Sequence, residues 1–196
     1  EDAGPQLEPE VLDFLATISD SARHMGVLLD GLTALSRVGL APLEMVPVPL
    51  QELVQTVRAE VMAKYPLRAV EWQIADDLPT VLADATLLHQ ALTHVMGNAL
   101  KFTAPRALAK IDIRTVPGAL EGYVALQVRD NGVGYNLAQQ DRLFRVFGRL
   151  HSAKQFEGIG IGLVLTRKIL ARMGGYVSAE AAVDAGCRVE LQLQRA

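Results

Sequence analysis

The sequence predicts an α+β fold, a two-layer sandwich in which helices cover one face of a mixed sheet, preceded by a long N-terminal helix. A helical pattern of about 30 residues comes first, and a proline-rich stretch separates it from the remainder. Beyond that stretch, segments of alternating apolar and polar residues predict strands, and amphipathic segments predict helices. Half of the 196 residues are hydrophobic, enough for one sizeable core or for one core plus an arm.

The N-terminal helix is predicted from about Pro9 to Val38, after a loop over residues 1–8 that contains a glycine and a proline. Its apolar residues recur every seven positions in two seams, as in a coiled coil. The first seam consists of Val11, Ile18, Met25 and Leu32, and the second of Leu15, Ala22 and Leu29. A single helix cannot bury such a stripe, so we expect partner helices, from another copy in preference to the rest of this chain.

A domain boundary is predicted where the helical pattern stops. Residues 39–49 contain three prolines and a glycine, which is typical of a linker. We therefore predict a helical region over residues 1–38, a linker over 39–49 and a second domain over 50–196.

The second domain contains both predicted helices and predicted strands. Helices are expected over residues 50–64, from Asp84 as N-cap to about Phe102, and over about 160–173, where two glycines end the last one. Strands are expected over residues 70–74, 80–83, 111–116, 123–129, 176–181 and 188–194. This order is that of an α+β domain with its helices on one face of the sheet.

Composition argues against several classes of protein. A net charge of −3 and a pI near 5.8 argue against direct nucleic-acid binding. Cys187 is the only cysteine, which excludes a disulfide within the chain and favours a reducing, cytoplasmic location. No stretch reaches the ~18 apolar residues of a membrane span and no signal peptide is visible, so we expect no membrane segment.

The stretch from Asp130 to Leu163 indicates a nucleotide site. It opens with a carboxylate inside a glycine turn, DNGVG, and it closes with Gly158, Gly160 and Gly162 ahead of a predicted helix. Glycines let backbone N–H groups approach phosphate oxygens closely, and the N-terminus of a helix favours anions. A glycine-rich loop by itself is also typical of an ordinary turn.

A polar stripe lies on the helix predicted over residues 84–102. Gln90, His94, Asn98 and Lys101 share one face of that helix, apart from its apolar positions. A solvated helix face explains this pattern as well. The types of residue favour a site, because an amide oxygen can ligate Mg²⁺ and a lysine one turn later can neutralise phosphate.

Four ordered segments, LTHVMGNALKFT, DNGVG, LFRVFGRL and FEGIGIGL, together resemble the ATP-binding domain of sensor histidine kinases. That domain has the Bergerat-type fold shared with type II topoisomerase, chaperone and mismatch-repair ATPases. The stretch SARHMGVLLDGLTALSRVG resembles the second helix of the histidine kinase dimerisation domain, especially in phytochrome-like kinases. The resemblance covers nearly the whole chain and implies ATP and Mg²⁺ as ligands.

The resemblance implies a role for each matching residue. Asn98 corresponds to the Mg²⁺-binding asparagine, Lys101 to a phosphate-contacting lysine and Asp130 to the carboxylate that recognises the adenine amino group. The turn below the adenine is shaped by Gly132 and Gly134. With His94, which stands where most sensor kinases have Asn, Asn98 and Lys101 are the candidate catalytic residues.

The remaining matches belong to the ATP lid and the last glycine box. Phe144 and Phe147 correspond to the anchor at the base of the lid, and Arg149 and Lys154 to lid residues that reach the phosphates. The phosphate cradle is implied for Gly158, Gly160, Gly162 and Leu163. Ile159 replaces the usual Thr or Ser. The polar stretch over residues 148–158 predicts a lid that is mobile without nucleotide.

The resemblance implies transfer of the ATP γ-phosphate to a histidine on a first dimerisation helix that this chain lacks, and from there to an aspartate of a response regulator. An upstream sensor domain and a homodimer are implied for the full protein. Two alternatives stay open: a serine kinase of the anti-sigma-factor type, which the heptad helix argues against, and a degenerate, non-catalytic nucleotide-sensing or dimerising module, which His94 and Ile159 favour.

Overall fold

The computed structural model describes residues 8–40, 42–152 and 155–196. Its four α-helices are α1 Pro9–Leu40, α2 Leu50–Ala63, α3 Ala85–Phe102 and α4 Gly162–Arg172, and a 3₁₀ helix spans Leu137–Arg142. Its strands are β1 Val46–Pro49, β2 Val70–Ile74, β3 Thr80–Ala83, β4 Ala109–Pro117, β5 Tyr123–Asp130, β6 Tyr176–Ala181 and β7 Cys187–Gln194. Apart from β1 and the 3₁₀ helix, each element was predicted within two residues of these bounds.

Five strands form a mixed sheet in the order β2-β4-β5-β7-β6. The β2–β4 pair is parallel and the other three pairs are antiparallel. The strands β1 and β3 form a separate antiparallel pair. The predicted α+β fold with a mixed sheet is therefore confirmed.

The core lies between one face of the five-stranded sheet and α2, α3 and α4. In β4 the side chains of Ile111 and Ile113 are buried against the helices, whereas Lys110 and Arg114, on the opposite face, are exposed. This alternation is the pattern of a sheet with one face on the core and one in solvent.

The helix α3 crosses the centre of this core and begins where the sequence predicted. The Asp84 side chain accepts a hydrogen bond from the Leu87 amide at 3.0 Å, as an N-cap residue does. At the other end, the guanidinium of Arg68 donates to the Leu100 carbonyl and to Thr103 Oγ1. Since both ends are held, the polar face of α3 has a defined position.

The helix α1 leaves its two seams uncovered over most of its length. Ile18 and Met25 are 64% and 57% exposed, and within the part of the chain that the structure describes no other element covers them. Within the described residues, α1 contacts the rest of the molecule through its C-terminal third, where Gly31 lies close to Ile159 and Ile161, Val38 is buried and the Val38 carbonyl accepts from Arg172 of α4. The heptad stripe is therefore exposed over most of its length, and a partner helix stays a prediction.

The last four residues of the predicted linker form a strand. Val46–Pro49 pairs with Thr80–Ala83, and Val48 is buried. The prolines indicated a loop, and this part of the prediction was wrong. Proline is tolerated on an edge strand, and β1 pairs with β3 alone in its two-stranded sheet. The division into regions 1–38 and 50–196 stays a prediction. Among the described residues, no helix is both long and apolar enough to cross a membrane.

Candidate functional site

A cavity of about 360 Å³ lies between α3, the end of β5 and the glycine-rich segment that leads into α4. Most of the predicted site residues line it: His94, Asn98, Lys101, Asp130, Gly134, Arg149, Gly158, Gly160, Gly162 and Leu163. These residues are far apart in the sequence, and the fold brings them to one place. The volume suits a small organic ligand.

Asp130 is buried at one end of this cavity, as the last residue of the central strand β5. Its Oδ1 atom accepts hydrogen bonds from the amides of Gly132 at 2.7 Å and Cys187 at 3.2 Å. Within the described residues no donor bonds its Oδ2 atom. Burial raises the pKa of Asp130 to about 6, although both amide bonds act to lower it. The carboxylate is thus held by one oxygen and keeps the other for a ligand.

Two glycines of the turn after Asp130 are required by close backbone contacts. A Cβ atom on Gly134, whose φ is +57°, would lie 1.9 Å from the Ala182 carbonyl oxygen. A Cβ atom on Gly132 would lie 2.7 Å from the Phe102 carbonyl oxygen. Gly132 does not itself line the cavity. Its contribution is to let the turn pack tightly and to present its amide to Asp130.

The walls next to Asp130 are apolar. Val128, Val189, Tyr135 and Cys187 line this end, and the Tyr135 hydroxyl donates to the Ala179 carbonyl at 3.1 Å. Burial raises the pKa of the Cys187 thiol to about 12, so it stays protonated. These residues were not predicted, since each reads locally as an ordinary strand or turn position. An apolar end that holds one buried carboxylate suits the ring of a base.

The α3 face supplies three polar side chains, whereas Gln90 lies outside the cavity. Burial, and then the positive charges of Lys64 and Lys101, lower the pKa of His94, so its imidazole is neutral. Its buried Nε2 atom has no hydrogen-bond partner in the described part of the chain. A buried nitrogen without a partner, on a side chain that lines the cavity, fits a ligand that would complete its hydrogen bonding.

Two cations face each other at the other end of the cavity. Burial, and then the charge of Arg149, lowers the pKa of Lys101. Neither residue has a carboxylate within ion-pair distance among residues 8–40, 42–152 and 155–196. Arg149 donates instead to the carbonyls of Phe156 and Gly158, both at 2.6 Å. This arrangement favours an anionic ligand.

The glycine-rich segment brings backbone amides to the same end. Gly158 and Gly160 have φ values of +124° and +74°, which other residues rarely adopt. The N-cap of α4 is Ile161, which makes no side-chain cap bond, so the first amides of α4 keep their hydrogen-bonding capacity. A Cβ atom on Gly162 would lie 3.3 Å from His94 Nδ1. The N-terminus of α4 thus lies against the polar face of α3.

Part of the predicted lid is anchored by an aromatic cluster. The rings of Phe102, His151 and Phe156 lie 5.0 to 5.4 Å apart between centroids, and Phe156 is buried. The lid was predicted from its polar residues, and Phe156 was counted with the glycine motif. The aromatic cluster was therefore not predicted. Lys154 lies outside the described residues. Mobility of the lid without nucleotide stays a prediction.

The two phenylalanines predicted to anchor the lid lie outside the cavity. Phe144 is half-buried against the core, and the guanidinium carbon of Arg167 lies 5.6 Å from its ring centroid. Phe147 is 40% exposed and has a φ of +61°, which is unusual for a residue with a side chain. Both lie at the base of the segment that borders the cavity, so they would support it rather than touch a ligand.

Ile159, the departure from the usual Thr or Ser, has a packing role. A methyl group on Gly31 of α1 would lie 2.8 Å from its Cδ1 atom and 2.3 Å from that of Ile161. The phosphate-side loop therefore packs against α1 through two isoleucines. The hydrophobic side chain at this position has a structural explanation.

The residues of the cavity fit ATP. The free oxygen of Asp130 suits an amino group on a base, and the cations and glycine amides suit phosphates. Among the described residues no cluster of three His, Cys, Asp or Glu side chains could hold a metal ion. Mg²⁺ at phosphate sites is bound through one or two protein groups, phosphates and water, and the Asn98 amide fits that role.

Residues 83–196 match the family described as histidine kinase-, DNA gyrase B- and HSP90-like ATPases, and the chain belongs to this family. Signal transduction histidine-protein kinase BarA of Escherichia coli K12 is 31% identical over an alignment of 183 residues that covers 88% of this chain and 20% of BarA. Cyanobacterial phytochrome B of a Nostoc species is 28% identical over an alignment of 202 residues, gaps included, that covers 99% of this chain and 26% of that protein. The chain spans between 20% and 26% of the length of these two relatives.

Solved structures show the same architecture. Full-length ShkA in complex with AMPPNP superposes with a TM-score of 0.69 at 27% identity, over 97% of this chain and 40% of that chain. The nucleotide-free catalytic domain of histidine kinase ThkA superposes with a TM-score of 0.62 at 21% identity, over 78% of this chain and 96% of its own; this likeness is one of fold.

Proposed function

We propose that residues 50–196 are the ATP-binding catalytic domain of a sensor histidine kinase. The observation that carries the proposal is the buried carboxylate of Asp130, with one oxygen held by two amides and one left for a ligand. It lies at the apolar end of a cavity whose other end holds cations and glycine amides. Relatives named as histidine kinases, BarA of Escherichia coli and CikA of Synechococcus elongatus, support the kinase assignment.

Asp130 would select adenine over guanine. Its Oδ2 atom would accept a hydrogen bond from the adenine amino group, a charge-assisted bond in an apolar slot. Guanine has a carbonyl oxygen at the corresponding position, and two acceptors repel each other. Val128, Val189 and Tyr135 would enclose the ring.

The phosphates would lie at the cationic end. Lys101 and the amides of Gly158, Gly160 and Gly162 would bind the phosphate oxygens, and Arg149 could turn towards them from its lid carbonyls. The Asn98 amide would hold Mg²⁺, which neutralises charge on the phosphates when bound. His94, neutral and with a free Nε2 atom, would hydrogen-bond to a water molecule or to a phosphate oxygen at this end.

The acceptor would be a histidine on a dimerisation helix that packs on the uncovered seam of α1. None of His24, His89, His94 and His151 is followed by the acidic-Leu-Arg sequence of an acceptor histidine. In a homodimer of the full protein, that helix would present its histidine to the γ-phosphate. We propose that the phosphate then passes to an aspartate of a response regulator, and that an upstream sensor domain, with the whole protein in the cytoplasm, controls the reaction.

Incubation with γ-labelled ATP and Mg²⁺ tests this function. We expect no acid-labile label on the 196-residue chain alone, and acid-labile, alkali-stable label on a separate helical segment that carries the acceptor histidine. Stoichiometric acid-labile label on the chain alone would contradict the assignment of the acceptor to another segment. Tight ATP binding without any transfer would instead favour the non-catalytic, nucleotide-sensing module.

A further inference from the structure

Arg106, in the loop between α3 and β4, joins two segments that meet at the base-binding end of the cavity. One is the turn over residues 130–134, here called the base turn, and the other is the β6–β7 connection over residues 182–187, here called the hairpin loop. Arg106 donates to the carbonyls of Asn131 at 2.9 Å and Gly132 at 3.0 Å in the base turn. It also donates to the Asp184 carbonyl at 2.9 Å in the hairpin loop.

The backbones of the two segments approach each other very closely. A Cβ atom on Gly134 would lie 1.9 Å from the Ala182 carbonyl oxygen, and a Cβ atom on Gly186 would lie 1.9 Å from the Asp130 carbonyl oxygen. The Asp184 amide donates to the Val133 carbonyl at 2.8 Å. Contacts this close leave no room for side chains, so the relative position of the segments is set by their hydrogen bonds.

Three carbonyl oxygens therefore converge on one guanidinium. Without a donor, the carbonyls of Asn131, Gly132 and Asp184 would face each other and repel. A guanidinium offers five N–H donors in a rigid planar fork, and one lysine ammonium cannot satisfy the same three directions from the same position. With 32% of its side chain accessible, Arg106 is partly exposed. Its bonds to Asn131 and Gly132 are partly buried, whereas its bond to the Asp184 carbonyl is exposed, so water competes less for the first two.

The same joint holds the carboxylate that faces the ligand. Of the two amides that donate to Asp130 Oδ1, that of Gly132 belongs to the base turn and that of Cys187 to the hairpin loop. Any shift of one segment against the other breaks one of these bonds and turns the carboxylate. The position of Asp130 Oδ2 thus depends on the contact that Arg106 bridges.

We propose that Arg106 is a positioning residue for base recognition: it locks the base turn to the hairpin loop and so aims Asp130 at the adenine amino group. The proposal rests on the proposed function, because it assumes that Asp130 reads an adenine base. It assigns no contact between Arg106 and the nucleotide, and Arg106 does not line the cavity.

Calorimetric binding of ATP, GTP and inorganic tripolyphosphate to Arg106→Met tests the proposal. We expect ATP affinity to fall about tenfold, as for the loss of charge-assisted bonds at a partly buried position, while GTP and tripolyphosphate affinities stay within twofold of the parent. The preference for ATP over GTP then falls in proportion. A purely structural role would weaken all three ligands together, and an unchanged ATP-to-GTP ratio would overturn the proposal.

A conservative variant and a control variant complete the test. Arg106→Lys retains the charge and loses the fork, and we expect a smaller fall in the same ratio; this variant decides the question if Arg106→Met does not fold. Asp184→Asn is the matched control, because it removes the exposed ion pair with Arg106 and leaves the Asp184 carbonyl in place. We expect Asp184→Asn to keep the ATP-to-GTP affinity ratio of the parent. A loss as large as that of Arg106→Met would contradict a role for the bonds from Arg106 to the three carbonyls.

Binding of ATP and tripolyphosphate to the parent protein distinguishes a failure of this proposal from a failure of the proposed function. If the parent binds ATP no better than tripolyphosphate, the adenine site itself is wrong. If the parent prefers ATP and Arg106→Lys and Arg106→Met keep that preference, only the role of Arg106 is wrong.

Discussion

The two ends of the cavity are built in different ways. At the Asp130 end, the carboxylate, the base turn and the hairpin loop are joined by backbone contacts and by the guanidinium of Arg106. At the opposite end, Lys101 has no ion-pair partner among the described residues, and the α4 amides have no side-chain cap. At the end proposed to bind the base, the hydrogen bonds are thus made within the protein, whereas at the end proposed to bind phosphate, Lys101 and the α4 amides keep donors for a ligand.

This difference has a physical reason. A base presents the same few polar atoms in every state, so a rigid acceptor gains affinity through preorganisation. A phosphate chain carries most of the charge and changes during transfer, so its site needs donors that can move. The contrast leads to predictions that separate the two ends, each testable with ligands that occupy one end only.

The largest effect is expected for Asp130→Asn. The amide oxygen would take over the two bonds from Gly132 and Cys187, and the amide NH₂ group would then face the adenine amino group, donor against donor. We expect ATP affinity to fall by about 30-fold, or about 2 kcal/mol. Calorimetry measures the loss, and tripolyphosphate binding is the control that stays unchanged. Equal ATP affinity in variant and parent would sink the assignment of the base site.

A pH dependence is expected at the same end. Burial raises the pKa of Asp130 to about 6, and only the ionised carboxylate is a full acceptor for the amino group. We expect adenosine affinity to fall by about tenfold between pH 7 and pH 5, since the carboxylate must first lose its proton. Adenosine is the probe because it has no phosphate that titrates in this range. If adenosine affinity of the parent does not change between pH 7 and pH 5, the prediction is wrong. Asp130→Asn is the control, and its adenosine affinity should not change with pH.

The same pKa shift makes the stability of the fold change with pH in the direction opposite to base binding. Because the folded-state pKa of Asp130 lies above its ordinary value, its contribution to stability is greatest below that ordinary value and is lost as the pH rises through about 6. Stability and base binding therefore respond to this carboxyl in opposite directions.

A smaller effect, confined to the phosphate end, is expected for Asn98→Ala. Asn98 lies on the polar face of α3 and is half-buried, so its truncation leaves the apolar core of the helix intact. We expect the gain in ATP affinity on adding Mg²⁺ to shrink by about fivefold, with adenosine affinity unchanged. Thermal unfolding should match the parent. If Mg²⁺ improves ATP binding equally in both proteins, the metal role of Asn98 is wrong.

Hydrogen exchange should show the contrast directly in the nucleotide-free protein. We expect slow exchange for the amides of Gly132 and Cys187, which are bonded to the buried Asp130 carboxylate, and fast exchange for Ser152 and Gln155. The Gln155 amide donates to the Ser152 carbonyl, but both residues are exposed, so this local turn should open readily. Phe156 should exchange more slowly than its neighbours, because it is buried against Phe102. Adding AMPPNP with Mg²⁺ should protect the lid and change the base turn little. Strong protection of Ser152 and Gln155 without nucleotide would remove the contrast.

The elements of the fold were largely predictable because their signals are local. The Asp84 cap and the apolar face of α3 are set by residues within a few positions of each other, and the structure has both. The strand Val46–Pro49 was not predictable, since its prolines indicate a loop locally and its pairing partners, at Thr80–Ala83, lie more than 30 residues later.

The chemical groups of the site could be read from the chain alone: a carboxylate in a glycine turn, an amide and a lysine on one helix face, and three glycines before α4. Motif residues lie close together in the chain, so their order and spacing could be compared with a family. Which oxygen of Asp130 stays free depends on the fold, because the second amide on Oδ1 comes from Cys187, 57 residues away. The fold likewise decided the positions of Phe156 and Arg106, since packing and hydrogen bonds between distant segments leave no periodic signal in a sequence.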